Sequence, residues 1–258
     1  MSQVHHSAAQ GFAAAADTYT RGRPSYPAEL MPWLAQQLGL GAGATCVDLG
    51  AGTGKFTRLL ARTGAAVLPV EPVAEMREQL AAALPGIAAL AGTAQAIPLP
   101  DAAADAVVCA QAFHWFGTPE AVREIHRVLR PGGRLGLVWN VRDESVDWVA
   151  ALTGIMAPYE GDTPRFRTGR WREAFGEGLF TGLEETCFPY QHVGSPREVI
   201  IDRVLSVSFI AALPNAERAR VEAQMLDLIA SHPVLRERES VAFPYVTHAY
   251  RCVRTCRG

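Results

Sequence analysis

The stretch Val47-Asp48-Leu49-Gly50-Ala51-Gly52-Thr53-Gly54-Lys55-Phe56-Thr57 carries a carboxylate, at Asp48, and three glycines at alternate positions. Glycine takes positive φ without strain and lets a ligand approach the backbone, because no Cβ intrudes. Residues 45–49 read as a buried strand, and a helix starts at about Lys55 with unpaired N–H groups in its first turn. A strand ending in Gly-x-Gly-x-Gly is a nucleotide-sized cradle at the carboxyl edge of a parallel sheet. Spacing narrows the ligand. The dinucleotide fingerprint places its third glycine where Lys55 stands, which disfavours a nicotinamide enzyme. A phosphate-binding P-loop needs glycine at Leu49 and Ser or Thr at Phe56, and has neither. Asp48 would repel a bound polyanion and suits a cationic ligand. The bland alternative is a glycine turn beside an exposed acid.

The segment Asp48-Leu49-Gly50-Ala51-Gly52-Thr53-Gly54 resembles the first motif of class I S-adenosylmethionine (SAM)-dependent methyltransferases. SAM carries an ammonium, a carboxylate, a ribose diol and a sulfonium. The resemblance implies that Asp48 and the backbone of Gly50, Gly52 and Gly54 hold the methionine part. It also implies an acid at the end of the next strand for the ribose hydroxyls. Glu71 stands there, after Ala65-Ala66-Val67-Leu68-Pro69-Val70. A carboxylate can accept from both hydroxyls from that place, one strand over at the same edge. Pro72, at the first turn of the following helix, and Met76, on its apolar stripe, are counted with the cofactor contacts. So are Ala94 and Gln95, in a loop that resembles the segment beside the adenine. Many relatives have an acid where Thr93 stands; backbone at Ala94 or the Gln95 side chain takes its place. An ordinary proline-rich connection is the competing reading of that loop.

Two further segments resemble one branch of the methyltransferase type 11 group, which includes trans-aconitate-methyltransferase-like proteins. The first is Tyr19-Thr20-Arg21-Gly22-Arg23-Pro24-Ser25-Tyr26-Pro27, which has too much proline and glycine for regular helix. The resemblance implies a lid over SAM, with Tyr19 and Arg23 on the cofactor and Tyr26 toward the acceptor. The bland reading is a strap whose tyrosines pack on the domain. The second is Gln111-Ala112-Phe113-His114-Trp115-Phe116, at the carboxyl end of the fourth expected strand, where the switch-point rule places the ligand crevice. Gln111 is assigned to the cofactor. Phe113, His114 and Trp115 are assigned to the acceptor, with His114 as the candidate general base; core packing is the competing reading for the aromatics.

These residues need a scaffold of alternating strands and helices. Apolar spacing predicts helices over residues 27–40, 55–63, 72–84, 119–129, 146–158, 197–210 and 215–230, and strands over 45–49, 65–70, 87–91, 104–110, 134–140, 182–190 and 241–250. The expected fold is α/β: a Rossmann-like, seven-stranded, mostly parallel sheet with helices on both faces and a helical cap. In the family the last strand runs antiparallel between the fifth and sixth. The expected organisation is a lid and helix over residues 1–40 and a SAM-binding domain over 41–258, with cap insertions near 146–180 and 196–232.

Composition bounds the rest. The chain has 258 residues, half of them hydrophobic, and a net charge of −2. That is enough to bury a core, and gives no reason to expect nucleic acid or an anionic membrane as partner. No signal peptide or membrane-spanning run is read, so the expected location is the cytoplasm, as a monomer or homodimer with a small-molecule acceptor. The five cysteines read as free thiols, Cys46 and Cys109 in the core and Cys252 and Cys256 in a frayed tail, with no metal site. The reaction implied is displacement at the SAM methyl group by O, N, C or S. A hydroxyl or amine acceptor would use a base; a carboxylate would need cations instead, with Arg23, Arg142 and Arg165 as candidates. The absence of an Asn-Pro-Pro-Tyr segment weakens a nucleic-acid amine target, and the aromatic supply fits a small, partly apolar acceptor. The alternative function is a SAM-binding sensor that transfers no methyl group.

Overall fold

The computed structural model describes residues 23–255. Its six strands are β1 (Thr45–Leu49), β2 (Ala66–Val70), β3 (Ala104–Ala110), β4 (Leu129–Arg142), β5 (Glu184–Gly194) and β6 (Val241–Val253), in the order β2-β1-β3-β4-β6-β5. The first four run parallel; β6 pairs antiparallel with both β4 and β5. The α/β class and the antiparallel last strand are as expected. Among the described residues the sheet has six strands rather than seven. The expected strand over 87–91 pairs only at Leu90, whose N–H donates to Pro69 and whose carbonyl accepts from Glu71. Gly86, at φ +95°, and Gly92, packed against Pro98, bracket it too closely for a longer ladder.

Alternation along the central strands sends successive side chains to opposite faces. Val47, Val107, Leu135 and Trp139 face one side, where helix α4 (Pro119–Val128) packs. Cys46, Ala106, Val108 and Val138 face the other, under α1 (Leu30–Leu38) and α2 (Lys55–Ala61). Helix α4 starts as its sequence dictates: Thr118 caps it by accepting from Ala121 N–H, and Pro119 occupies the first turn, where no N–H is needed. Helix α3 (Ala74–Ala83) buries Met76 and Leu80.

A second core lies over the outer end of β6. It joins α5 (Asp147–Met156), the helical segments between residues 197 and 211, and α6 (Asn215–Ser231) to Val241, Phe243 and Tyr245. Residues 166–175, expected within the cap, instead pack Phe166, Trp171 and Phe175 into the main-sheet core. Cys252, expected in a tail, is buried in β6, because the strand runs on to Val253; Cys256 lies outside the described residues. No helix among those described is long and apolar enough to cross a membrane.

Candidate functional site

The order of the sheet reverses between β1 and β3, and a cleft opens where their carboxyl ends part. The glycine loop forms its floor. Gly50, Gly52 and Gly54 all take positive φ, at +75°, +55° and +82°, but they serve different ends. A Cβ at Gly50 would strike Ala112, and one at Gly54 would strike Leu80, each at 2.8 Å. At Gly52 the nearest atom would be the Met76 sulfur at 3.8 Å, so this glycine leaves room for a ligand. Gly54 does not line the cleft: its missing side chain is filled by α3.

Two carboxylates flank the loop. Asp48 is buried at the end of β1, where Oδ2 accepts from Thr57 Oγ1 at 2.6 Å. Its Oδ1 is buried with no hydrogen-bond partner among the described residues. Burial pushes its pKa up to about 7; the Thr57 bond works against this, and the Glu71 charge adds to it. Glu71 accepts from Gly52 N–H and from Val73 N–H, each at 3.0 Å, and so ties the glycine loop to the start of α3. Burial raises its pKa as well, against those two bonds and the Arg77 charge. Two acids held above their ordinary pKa favour a ligand that brings positive charge or hydroxyl donors.

The opposite wall is cationic. Arg23 donates to the Ser206 carbonyl at 3.1 Å, and Lys55 Nζ donates to the Arg23 carbonyl. Asn140 Nδ2 donates to the Ser25 carbonyl at 2.7 Å, while its Oδ1 accepts from Thr247 at 2.6 Å. Tyr26 meets Phe56 edge to face, with ring centroids 4.8 Å apart. These contacts fix residues 23–26 across α2, the end of β4 and the cap. Arg203, from the cap, reaches the same cleft. Its Nε and Nη1 are buried with no partner among the described residues. Arg142 and Arg165 feel its charge, though neither lines the cleft. Burial, then Arg203, lowers the Arg142 pKa to about 10. Burial also lowers that of Arg165, with Arg203 adding to the effect and Glu160 opposing it. Burial, then Arg23 and Arg203, lowers Lys55 to about 8.

The third wall is the end of β3. Gln111 sits at φ +57°, a costly conformation for a residue with a Cβ. Its N–H donates to the Val138 carbonyl at 2.8 Å and its Nε2 to the Asn140 carbonyl at 3.4 Å. The turn that follows separates its aromatic residues. Trp115 and Phe116 line the cleft. Phe113 is fully buried among Phe116, Trp171 and Phe175 and does not. His114 does not line it either; its Nδ1 accepts from Trp139 Nε1 at 3.0 Å. Burial, then Arg165 and Arg23, pushes its pKa down to about 3.

The structure therefore brings together Arg23, Tyr26, Asp48, Gly50, Gly52, Glu71, Pro72, Met76, Ala94, Gln95, Gln111 and Trp115. Tyr19 lies outside the described residues. Gly54, Phe113 and His114 stand off the cleft because each is taken up by packing or by Trp139. Sequence reasoning missed Asn140 and Arg203. Arg203 stands in the apolar run Ile200-Ile201-Asp202-Arg203-Val204-Leu205, where its charge is out of place; among the described residues no acid pairs with it, whereas Asp202 pairs with Arg197. Asn140, at the end of an apolar strand, had no such signal.

This wall plan fits the cofactor that the motifs imply. A buried carboxylate oxygen has no partner among the described residues, a second acid stands one strand over, a glycine leaves space between them, and Arg23 and Arg203 line the same cleft, where they would suit a carboxylate.

A family model described as a methyltransferase domain matches residues 47–137. The chain is 42% identical over 243 residues, 94% of each chain, to an uncharacterized methyltransferase of Mycobacterium tuberculosis. It is 36% identical to an uncharacterized methyltransferase-like protein of Schizosaccharomyces pombe, across 90% of this chain and 91% of the other. Among solved structures, a phosphoethanolamine N-methyltransferase of Haemonchus contortus aligns with a TM-score of 0.59 over 99% of this chain and 61% of that one. Its 12% identity makes this a likeness of fold.

Proposed function

The chain belongs to the class I SAM-dependent methyltransferases, and on that footing we propose that it methylates a small anionic acceptor, with a carboxylate oxygen as the nucleophile. SAM is the methyl donor of this family; when bound, it supplies a methyl group already activated by the positive sulfur. What the chain must add is alignment and exclusion of water.

In this reading Asp48 accepts from the ammonium of the methionine part and Glu71 from the ribose hydroxyls. The Gly52 backbone, Pro72, Met76, Ala94, Gln95 and Gln111 shape the rest of the cofactor wall. Arg23 pairs with the methionine carboxylate, and residues 23–26 shield the reacting centre. Trp115 and Tyr26 border the acceptor.

The acceptor's charge rests on one observation: two nitrogens of Arg203, Nε and Nη1, are buried with no partner among the described residues. Guanidinium N–H groups buried without an acceptor are unfavourable, and an anion satisfies them with charge-assisted bonds. Arg142 and Arg165 reinforce the demand. With the cofactor carboxylate assigned to Arg23, Arg203 is left for the acceptor. A carboxylate nucleophile needs no general base, which agrees with the occupied Nδ1 of His114. The same chemistry suits the trans-aconitate-methyltransferase-like branch that residues 19–27 and 111–116 resemble.

The experiment is incubation with methyl-labelled SAM and a panel of small acids, amines and phenols. The expected product is a methyl ester, whose label is released by mild base. Label that enters only neutral amines or phenols, and resists base, overturns the carboxylate reading.

A further inference from the structure

On the face of the sheet away from α1 and α2, β5 and β6 bring three ligating side chains to one point. Cys187 and His248 are direct cross-strand partners, and Glu185 lies two residues along, opposite Tyr250. Cys187 Sγ is 3.5 Å from His248 Nδ1 and 3.6 Å from Glu185 Oε1, and those last two atoms are 2.6 Å apart. We propose that Glu185, Cys187 and His248 bind a borderline-soft divalent cation of the Zn²⁺ class. The methyl-transfer reading does not depend on this site, nor the site on it.

Convergence on a single ring nitrogen excludes the competing catalytic reading. A Cys-His-acid relay needs the thiol on one imidazole nitrogen and the carboxylate on the other. Here both approach Nδ1, so no proton passes through the ring. Three atoms around one point are what a metal requires. Tetrahedral bonds of about 2.3 Å to sulfur and about 2.0–2.1 Å to nitrogen and oxygen give sulfur-to-nitrogen and sulfur-to-oxygen edges of about 3.6 Å. Two edges of this triangle already match. The third, from Nδ1 to Oε1, is drawn in by a hydrogen bond and must open by somewhat under 1 Å.

The donor set discriminates among cations. Thiolate, imidazole and carboxylate together suit Zn²⁺ or Co²⁺ and reject Mg²⁺ and Ca²⁺, which take oxygen. The surroundings hold the ligands in place. Tyr250 OH donates to Glu185 Oε1 at 2.5 Å, and Arg172 Nη2 donates to Tyr250 OH at 2.9 Å. The His248 ring lies 5.1 Å from Phe166 and stacks on Tyr250. Such outer partners fix ligand orientation. Glu185 and Cys187 are exposed, so water can supply the fourth ligand and the ion has a path in. Loading ionises the Cys187 thiol, which releases its proton, and uses the Nδ1 lone pair of His248, so that a ring proton sits on Nε2. The ion would then brace β5, an edge strand, against β6.

The test uses the full-length chain without an affinity tag, titrated with Co²⁺ and then with Zn²⁺ against a chromophoric chelator. One Co²⁺ per chain is expected, with a thiolate-to-metal charge-transfer band that Zn²⁺ abolishes. Cys187→Ser should remove the band and weaken Zn²⁺ binding by at least about 100-fold, with an unchanged circular dichroism spectrum. Glu185→Gln gives a second reading at an exposed position, with weaker binding and the band retained. The adjacent histidines His5 and His6 are the competing ligands in the sequence, and a variant with both His5→Ala and His6→Ala should bind as the parent does. Absence of the band, its survival in Cys187→Ser, or loss of loading with the His5 and His6 changes overturns the proposal.

Discussion

Trp139 Nε1 donates a hydrogen bond to Nδ1 of His114 at 3.0 Å. An indole N–H can only donate, so it fixes His114 as the tautomer with its proton on Nε2. Such a ring donates at Nε2 and has no free lone pair to act as a base. Protonation would turn Nδ1 into a second donor facing the first, and burial beside Arg165 and Arg23 disfavours the charge further.

Replacing His114 should therefore leave the pH dependence of catalysis intact. His114→Asn is expected to lower kcat by less than about tenfold, well below the ~10²–10⁴-fold that a lost general base costs. No limb attributable to a histidine should appear or vanish between pH 5 and 8. A loss of 100-fold or more, together with a vanished limb, would restore the histidine as base.

Asp48 couples ligand binding to pH. Its folded-state pKa, about 7, lies above the ordinary carboxylate value. Below that ordinary value the group is protonated in both states and carries no penalty. As pH rises toward about 7 the folded protein loses the stability that its retained proton provided. Asp48→Asn should therefore stabilise the ligand-free protein at pH 8, by roughly a few kcal/mol, and yet weaken SAM binding. In the parent, SAM affinity should fall as pH drops through 7, and the variant should lack that step. Thermal melts and calorimetric titrations at pH 6 and 8 check both signs; a variant less stable at pH 8 would contradict the buried-charge argument.

Glu71→Ala removes the acceptor for both the Gly52 and Val73 N–H groups. It should weaken binding of SAM and of its demethylated product alike, by about 1–3 kcal/mol, as a ground-state contact would. Affinities matching the parent for both ligands would remove Glu71 from the ribose site.

Arg203→Met separates the acceptor from the cofactor. Losing a charge-assisted contact of about 1.5–3 kcal/mol should raise the acceptor KM roughly 10- to 150-fold. The SAM KM should stay within about threefold, a margin that covers ordinary scatter at uninvolved sites. The ligand-free protein should melt no lower than the parent, because nitrogens buried without partners have been replaced by an apolar side chain. A large rise in the SAM KM alone would instead assign Arg203 to the methionine carboxylate.

What the sequence settled by itself is local. The glycine spacing, the acid before it and the acid after the next strand share one sheet edge because neighbouring parallel strands end together. Asp48 and Glu71 are thus placed by register alone, Leu49 opposite Val70. Thr118 and Pro119 likewise announce the start of α4, since a cap acts on its own first turn. Tertiary structure decided which way side chains turn and which distant ones arrive. Phe113 and Trp115 are two residues apart, yet one enters the core and the other the cleft, because a single helical turn after β3 points them apart. Gly54 reads like Gly52 until Leu80 fills its space. Arg203 shares no local pattern with Asp48, and only the folding of the cap over the sheet brings it to the same cleft. Spacing encodes what backbone geometry repeats. The packing of one layer on another depends on contacts between residues far apart in the chain, which no local pattern records.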